Sequence, residues 1–401
     1  MPRKLTDWID SYIKYTYNSE PPELFHIWVA ISTIASALER KCVINWGGPL
    51  RFYPNMYIVL CAPPGKARKG TAMSYGESFL SRIGVKLAAE SSSREALVRF
   101  IMDSFDATIN EETGDIYHHS SVTIYSPELT VLLGYKQQQL MMDLTDWFDC
   151  GRGPEGRWTY RTKHQGVDEI IGIWVNLLGA TTPDLLRSTL SLDAFGGGLT
   201  SRMIFVFEED KRKSCPAPFL SKEEQRIGED LYYDLEQIRI LKGSFKPDSQ
   251  FIDRWVEWYM SQDRAKIFDD PHLAPYCERR PVHIMKLSMI LSAARGDSMI
   301  LTVDDINRAI GLLERTELKM PKTFSGIGKS PHAEVLSKVM AEIGMAGTIT
   351  KSALMRKFYQ DADDRVMEII IETLRSMGFL DRKESGEDTI LVYRRKKEVI
   401  V

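Results

Sequence analysis

Residues 56–74 read MYIVLCAPPGKARKGTAMS, and this stretch decides the fold that we expect. The run from Met56 to Cys61 is apolar without polar alternation, which predicts a buried strand of a parallel sheet. A basic loop with proline and glycine follows, and from Thr71 onward the residues favour a helix. This order places backbone N–H groups, a lysine and a hydroxyl where they can hold a nucleotide triphosphate and its Mg²⁺.

The loop departs from the usual phosphate-binding pattern, G-x-x-x-x-G-K-[ST]. Ala62 occupies the first glycine position, Arg68 precedes Lys69, and Gly70 separates Lys69 from Thr71. We interpret it as a variant P-loop in which Lys69 contacts the phosphates and Thr71 is the Mg²⁺ ligand. The residues assigned to the nucleotide are Pro64, Gly65, Lys66, Ala67, Arg68, Lys69, Gly70 and Thr71. The alternative is a basic turn between strand and helix that binds nothing.

The composition is that of a globular protein. The 401 residues predict two or three domains, and 43% hydrophobic with 27% charged residues is typical of a soluble chain. The sequence has no run long enough to span a membrane and no signal peptide, so we expect a cytoplasmic protein with no membrane contact. The five cysteines are far apart with no CxxC pair, which disfavours structural zinc and a disulfide framework.

A second informative strand ends at Ser126-Pro127-Glu128. In P-loop ATPases a parallel strand ends in acids beside the phosphates, one linked to the metal and the next polarising the attacking water. Here Glu128 is the only acid, and Pro127 stands where the metal-linked aspartate is expected. We interpret Glu128 as the catalytic base. The alternative is a surface acid that caps the next helix.

A third buried strand, Ile171 to Leu178, ends in Gly179-Ala180-Thr181-Thr182-Pro183. A polar side chain at the end of a strand beside the P-loop strand can sense the γ-phosphate, and we assign this role to Thr181 or Thr182. The alternative is helix capping, because Thr182-Pro183-Asp184 is a good helix start, and both can hold together.

Arg202 follows a glycine run and precedes the apolar strand Met203–Phe207. In ring ATPases such an arginine reaches the γ-phosphate of the neighbouring subunit. The alternative is a surface ion pair. Residues 249–320 have a helical pattern that predicts a lid, in which Arg280 could reach back to the nucleotide or simply pair with an acid; Lys286 is a weaker candidate.

The segment from Pro321 to Pro331 has linker composition. Beyond it, three helical segments and two strands predict a winged helix, a helix-turn-helix variant that often binds nucleic acid. Its third helix is rich in acids, and the basic residues cluster in the wing and tail. Contact with another protein is therefore a real alternative for this domain.

Taken together, APPGKARKGT, the strand ending in Glu128, a hairpin just before GATT, and GGLTSRMIFVF occur in a specific order. This order resembles the AAA+ replicative helicases of phages and mobile genetic elements, which are similar to minichromosome-maintenance (MCM-like) helicases. The resemblance implies an α/β fold with a P-loop AAA+ core, a helical lid and a winged helix. The implied domains are an N-terminal helical segment (1–40), the core (41–215), the lid (216–320), a linker (321–331) and the winged helix (332–401).

The resemblance also implies ATP and Mg²⁺ as cofactors, Arg202 as an arginine finger and Arg280 as a second sensor. It implies that the hairpin at 157–170 projects into the channel of a homo-oligomeric ring, a hexamer, that binds single- and double-stranded DNA. The residues that would meet single-stranded DNA are Lys163, His164 and Lys136. A net charge of −3 is compatible with DNA binding if the positive channel forms only on assembly.

From these features we expect an ATP-dependent DNA helicase that serves the replication of a phage or mobile element, with a primase or an initiator protein as further partners. One alternative in the same class is a replication initiator or helicase loader, which would remodel DNA complexes without unwinding. Another is a nucleotide-gated DNA-binding scaffold without turnover, since the altered loop could bind ATP without hydrolysing it.

Overall fold

A computed structural model describes residues 2–88, 93–109, 114, 116–134, 138–151, 155–162, 166–189, 198–262, 267–268, 270, 273–324, 333–385 and 388–394. The chain forms two compact units, Met1–Ser325 and Gly326–Val401. The boundary between them falls inside the segment 321–331 that has linker composition.

The helices and strands of the first unit, in chain order, are α1 (Trp8–Tyr15), α2 (Glu23–Leu38), β1 (Cys42–Gly47), β2 (Leu50–Phe52), β3 (Tyr57–Cys61), α3 (Lys69–Arg82), β4 (Leu87–Ala88), α4 (Arg94–Asp103), β5 (Phe105–Ile109), β6 (Ile116–Ser126), α5 (Leu129–Leu133), α6 (Gln138–Phe148), β7 (Trp158–Thr162), β8 (Gly166–Ile170), β9 (Ile173–Thr181), α7 (Pro183–Thr189), β10 (Met203–Phe207), α8 (Lys222–Arg239), β11 (Gly243–Ser244), β12 (Lys246–Pro247), α9 (Ser249–Gln262), α10 (Ala274–Cys277), α11 (Arg280–Arg295), β13 (Ile300–Leu301) and α12 (Val303–Glu317).

The core of this unit is a six-stranded sheet with the order β10-β3-β9-β6-β4, to which β5 adds beside β6. Every pair in the sheet is parallel except β5 with β6. The predicted α/β class with a parallel sheet is therefore confirmed. Because the strands are parallel, the carboxyl ends of β3, β9 and β6 lie side by side at one edge of the sheet.

The central strands are the apolar runs in the sequence. All residues of β3, β9 and β10 are buried, as expected for strands covered on both faces. Their β-branched and aromatic side chains suit a pleated surface. The three runs that sequence periodicity marks as buried strands thus become neighbours in the sheet, with β10 as its outermost strand on that side.

Helices α1 and α2 form the predicted helical preface and pack onto the rest of the unit. Helix α2 is buried along nearly its whole length, and the Asn176 side chain of β9 donates hydrogen bonds to Ser32 and Ser36 on it, each at 3.0 Å. Helix α2 crosses α3 closely at Gly76, where a Cβ atom would stand 2.6 Å from Cγ1 of Val29. A glycine is therefore needed at this crossing.

Helices α9, α11 and α12 form the helical region predicted after residue 249. Helix α12 begins with a capping box between Thr302 and Asp305, which satisfies two of its free N–H groups. Among the described residues, no helix is long and apolar enough to cross a membrane.

The cysteines divide into buried and partly accessible thiols. Cys42, Cys61 and Cys150 are buried, whereas Cys215 and Cys277 are half-buried, and all five are unbridged. Burial raises the pKa of the Cys42 and Cys61 thiols to about 12 and that of Cys150 to about 11.

The second unit contains α13 (Ala333–Ala346), β14 (Thr348–Thr350), α14 (Lys351–Lys357), α15 (Asp364–Ser376), β15 (Leu380–Ser385) and β16 (Asp388–Tyr393). Its antiparallel sheet has the order β14-β16-β15, so a short strand joins the two predicted ones. The core is a single apolar cluster that includes Met367, Ile370 and Leu374 of α15. This unit therefore has a hydrophobic core of its own.

Candidate nucleotide site

The loop between β3 and α3 turns tightly before the helix begins. The Lys66 N–H donates to the Pro63 carbonyl at 3.3 Å, and Gly65 and Arg68 have φ values of 68° and 53°. The left-handed region that both adopt is easy for glycine and unfavourable for arginine. The helix starts at Lys69, and its first N–H groups have no intrahelical acceptor, so they are available to an anion.

Lys69 folds back over this loop. Its Nζ donates to the Ala62 carbonyl at 2.9 Å, which places the ammonium group beside the end of β3. Burial lowers the pKa of Lys69, and the nearby Cys61 and Glu128 side chains oppose that shift. Glu128 is therefore close enough to act electrostatically on Lys69, although the two residues are far apart in sequence.

Thr71 lies in the first turn of α3 rather than at its start, because the helix begins at Lys69. Its side chain is exposed, and its hydroxyl makes no hydrogen bond to any described residue. At Gly70 a Cβ atom would have nothing within 4 Å, so the space beside this turn is open. The Thr71 hydroxyl is thus accessible from the side of the helix start.

Three strand ends meet beside the loop. The last residue of β9, Thr181, pairs in register with Cys61 at the end of β3. Ser126, the last residue of β6, pairs with Gly179 of β9, and Glu128 follows two positions later. The strand order therefore brings Lys69, Thr181 and Glu128 to one edge of the sheet, with the Thr181 strand between the other two.

Glu128 occupies the N-cap position of α5, but its side chain makes no capping hydrogen bond. The side chain is exposed and forms no ion pair with the described residues. The alternative that the Glu128 side chain caps the next helix is therefore not what the structure shows. An exposed, unpaired carboxylate at this edge can accept a proton from water.

The two threonines at the end of β9 differ in what they do. The Thr182 hydroxyl accepts a hydrogen bond from the Leu185 N–H at 3.2 Å and so caps α7. Thr181 is buried at the strand end and donates only a long 3.4 Å hydrogen bond to the Thr182 carbonyl. The helix-capping alternative thus applies to Thr182, and Thr181 remains the better sensing candidate.

The donor set at this edge fits a magnesium ion bound mainly through phosphates. Mg²⁺ takes oxygen ligands, keeps several waters and usually needs only one or two protein groups besides substrate phosphates. In the described part of the chain, no group of three or more His, Cys, Asp or Glu side chains could hold a metal by itself. The accessible Thr71 hydroxyl suits the single-ligand arrangement.

Arg202 lies at the opposite edge of the sheet. It immediately precedes β10, whose first residue, Met203, pairs with Tyr57 at the start of β3. The loop follows the far end of β3, about 16 Å away for five residues of strand. The guanidinium donates to Asp149 Oδ2 at 2.5 Å and to the Gly198 carbonyl at 2.8 Å, so it does not reach the loop of its own chain.

Arg279 shares the Asp149 carboxylate with Arg202. Its Nη1 lies 3.7 Å from Asp149 Oδ1, and its side chain is 33% exposed. Burial and the neighbouring Arg202 charge lower the pKa of Arg279. Sequence reasoning missed both partners, since each is distant from Arg202 along the chain; the adjacent pair of arginines at 279–280 was the only local signal.

Arg280 is buried and paired, which was the alternative to a sensing role. Its Nε and Nη2 donate to the two carboxylate oxygens of Glu317 at 2.7 and 2.9 Å, and its Nη1 donates to Gln262. Lys286 is also buried and donates to the Asn55 side chain at 2.6 Å; burial lowers its pKa to about 8. Asn55 precedes β3, so Lys286 lies at the edge away from the loop.

The hairpin predicted at 157–170 is present as β7 and β8, which pair from Trp158 with Ile170 to Thr162 with Gly166. Its base is held by Trp158, whose ring packs edge-on against Trp147 of α6 at 5.5 Å. The residues assigned to single-stranded DNA lie outside the described residues: Lys136, Lys163 and His164.

Glu20, between α1 and α2, ties three segments together at the loop. Its carboxylate accepts hydrogen bonds from Lys211 Nζ and Arg68 Nε, both at 2.7 Å, and from the Cys215 N–H at 3.2 Å. The hydrogen bonds from Lys211 and Arg68 lower the pKa of Glu20 to about 2. No sequence pattern singles out this residue beyond its place in the Ser19-Glu20-Pro21-Pro22 break.

No protein-family model matches the chain, and no curated protein matches it in sequence.

Proposed function

We propose that this chain is an AAA+ ATPase that works as a ring-shaped DNA helicase in the replication of a phage or mobile element. The observation that carries the proposal is the strand order β10-β3-β9-β6-β4, with Lys69, Thr181 and Glu128 at adjacent strand ends. A basic turn without a ligand does not need an unpaired carboxylate and a buried threonine beside it. We place the activity in the cytoplasm.

In this proposal each residue at the loop has a distinct role. Lys69 leaves the Ala62 carbonyl and binds the β- and γ-phosphates of ATP, while the first N–H groups of α3 bind the phosphate oxygens. Thr71 holds Mg²⁺, which supplies neutralisation of charge on the phosphates when it is bound. Glu128 orients the attacking water and accepts its proton, and Thr181 donates a hydrogen bond to the γ-phosphate.

The ring is proposed from the position of Arg202. This arginine lies near the start of β3, whereas the loop of its own chain follows the end of β3. A phosphate that Arg202 contacts therefore belongs to a neighbouring copy. Arg279, beside it, is the second cation that we assign to this interface in place of Arg280, whose guanidinium is occupied by Glu317. Asp149 holds both arginines until a phosphate competes for them.

For the second unit we propose a winged helix that contacts protein rather than DNA. Three helices followed by an antiparallel sheet support the fold. On helix α15, Glu368 pairs with Lys351 and with Arg382 of the wing, and Arg382 also contacts Glu372, so acidic side chains of this helix adjoin the wing cation. A primase or an initiator protein is the partner that we propose for it.

One observation favours the alternative of a nucleotide-gated scaffold or a slow initiator or loader: Pro127 stands where a second acid is expected. The test is ATP turnover with and without single-stranded DNA, for the wild type and for Glu128→Gln. We expect turnover that DNA stimulates and the substitution abolishes, followed by strand displacement. ATP binding without turnover in either protein would favour the scaffold, and turnover without strand displacement would favour the initiator or loader.

A further inference from the structure

Arg68 has a backbone conformation that arginine rarely adopts. Its φ of 53° and ψ of 43° are left-handed, and it stands directly before Lys69, where the usual loop pattern has glycine. An arginine at such a position is unfavourable for the free backbone, so a compensating contact of its side chain is expected. The side chain of Arg68 makes two such contacts.

The guanidinium of Arg68 spans the mouth of the loop. Its Nε donates to Glu20 Oε2 at 2.7 Å, and its Nη1 lies 3.4 Å from the carbonyl oxygen of Gly65 at the loop's turn. An arginine has five N–H donors, and the remaining ones of Arg68 have no acceptor among the described residues. The side chain is 44% exposed, so these donors are accessible to a ligand at the loop.

Glu20 is held in place independently of Arg68. Its second oxygen, Oε1, accepts hydrogen bonds from Lys211 and from the Cys215 N–H, and its own carbonyl accepts one from the Arg212 N–H at 2.9 Å. The carboxylate is therefore fixed between the α1–α2 connection and the segment after β10. Because this carboxylate takes the Nε side of Arg68 and the Gly65 carbonyl lies near Nη1, the Nη2 group has no acceptor among the described residues.

We propose that Arg68 is a second cationic ligand of the nucleotide phosphates and that Glu20 is the positioning residue that orients it. The inference rests on the nucleotide site proposed above and goes beyond it, since a glycine at position 68 could not contribute a charge. A guanidinium fork matches two phosphate oxygens in its plane, whereas Lys69 binds as a compact charge. Glu20 keeps the fork oriented before the nucleotide arrives, which lowers the entropy lost on binding.

The test is the affinity for ATP, measured calorimetrically with the full chain, for Arg68→Ala, Glu20→Gln and the double variant. We expect each single substitution to weaken ATP binding about 10-fold, as for loss of one charge-assisted hydrogen-bonding partner. The double variant binds no more weakly than Arg68→Ala alone, because Glu20 acts through Arg68. Arg68→Lys restores only part of the affinity, since it returns the charge without the fork.

A matched control lies on the other end of the same helix. Arg82 and Glu229 form an exposed bidentate pair with distances of 3.1 and 2.9 Å, so Arg82→Ala and Glu229→Gln remove a similar pair far from the loop. These two variants keep the wild-type affinity. Arg68→Gln, which keeps a polar side chain but removes the charge and the fork, replaces Arg68→Ala if the thermal unfolding midpoint shows that the alanine variant does not fold.

Two results would overturn the role of Arg68 and leave the nucleotide site itself in place. The first is wild-type ATP affinity in the folded Arg68 variants. The second is a loss of ATP affinity by Glu20→Gln that is equally large when Arg68 is absent. The second result would mean that Glu20 acts through Lys211 and the segment around it. Failure of the nucleotide site itself is recognised separately, because the wild type would then bind no ATP or Lys69→Ala would bind it as well as the wild type.

Discussion

Thr181 stands directly opposite Cys61 across the parallel strands β9 and β3, so a buried hydroxyl marks the point where the loop between β3 and α3 leaves the sheet. The next residue, Thr182, has a different role, since its hydroxyl caps α7. Two adjacent threonines with the same chemistry thus have separable roles, and each can be removed while the other serves as its control.

Thr181→Val should lower ATP turnover by about 10- to 100-fold while leaving ATP affinity nearly unchanged, because the hydroxyl is proposed to act on the γ-phosphate during reaction. Thr182→Ala should retain turnover and lower the free energy of unfolding by about 1 kcal/mol through loss of the cap. Steady-state kinetics and denaturant titration measure the two effects. Equal loss of turnover in both variants would contradict the assignment.

Arg202→Ala should abolish turnover alone and regain it in a mixture with Lys69→Ala. In a mixed ring, some sites would join an intact loop to an intact neighbouring arginine. Loss of such an arginine costs about 1,000-fold or more in NTPases that use one. The matched control is a mixture of Lys69→Ala with Glu128→Gln. Both substitutions disable the site that contains the loop of the same subunit, so this mixture has no intact site and should stay inactive. Turnover restored in neither mixture would refute action between subunits.

Arg280→Met should lower the free energy of unfolding by about 3–5 kcal/mol, since it leaves the buried Glu317 carboxylate without its counter-charge. Chemical denaturation at neutral pH measures this loss. Arg82→Ala, which breaks an exposed pair, should change stability little. If Arg280→Met is as stable as the wild type, the pair with Glu317 does not determine the position of α11.

Gly76→Ala should destabilise the protein by about 1–3 kcal/mol, because the added Cβ meets Val29 Cγ1 at 2.6 Å where α2 crosses α3. Gly311→Ala is the matched control: it lies within α12, and its Cβ would have nothing within 4 Å. That substitution should stabilise by about 0.5–1 kcal/mol through helix propensity. We expect the unfolding midpoint to fall below the wild-type value for Gly76→Ala and to rise above it for Gly311→Ala.

Stability should fall as the pH drops from about 6.5 towards 5. Burial lowers the pKa values of His26 and His283 to about 3, against an ordinary value of 6.5, so the unfolded chain takes up protons that the folded one excludes. Uptake by the unfolded state makes stability rise with pH across this window. His26→Gln should flatten the slope of the unfolding free energy against pH, and an unchanged slope would contradict the burial effect.

The sequence predicted what local patterns determine. The apolar runs of β3, β9 and β10, the loop after Cys61 and the helices after residue 249 all follow from periodicity and from residue types at element ends. Side-chain partners could not be predicted in the same way. The Glu317 partner of Arg280 and the Asp149 shared by Arg202 and Arg279 are brought together only by packing of distant segments.

The start of α3 shows a smaller difference of the same kind. The sequence favours a helix from Thr71, because Gly70 is a poor helix former, yet the helix begins at Lys69. The left-handed Arg68 just before it, held by Glu20, sets the direction of the chain there. The helix therefore begins two residues earlier than local propensity favours, beside a contact from another part of the fold.

The burial of three cysteines has a practical consequence for labelling. A thiol reacts as its thiolate, so Cys42, Cys61 and Cys150 should resist maleimides at neutral pH. Dyes should instead attach at the half-buried Cys215 and, more slowly, at the half-buried Cys277, whose pKa burial also raises, without any engineered cysteine. Cys215 contacts Glu20 through its N–H, and Cys277 lies two positions before Arg279, so the two natural attachment points report on the loop and on the arginine pair, respectively.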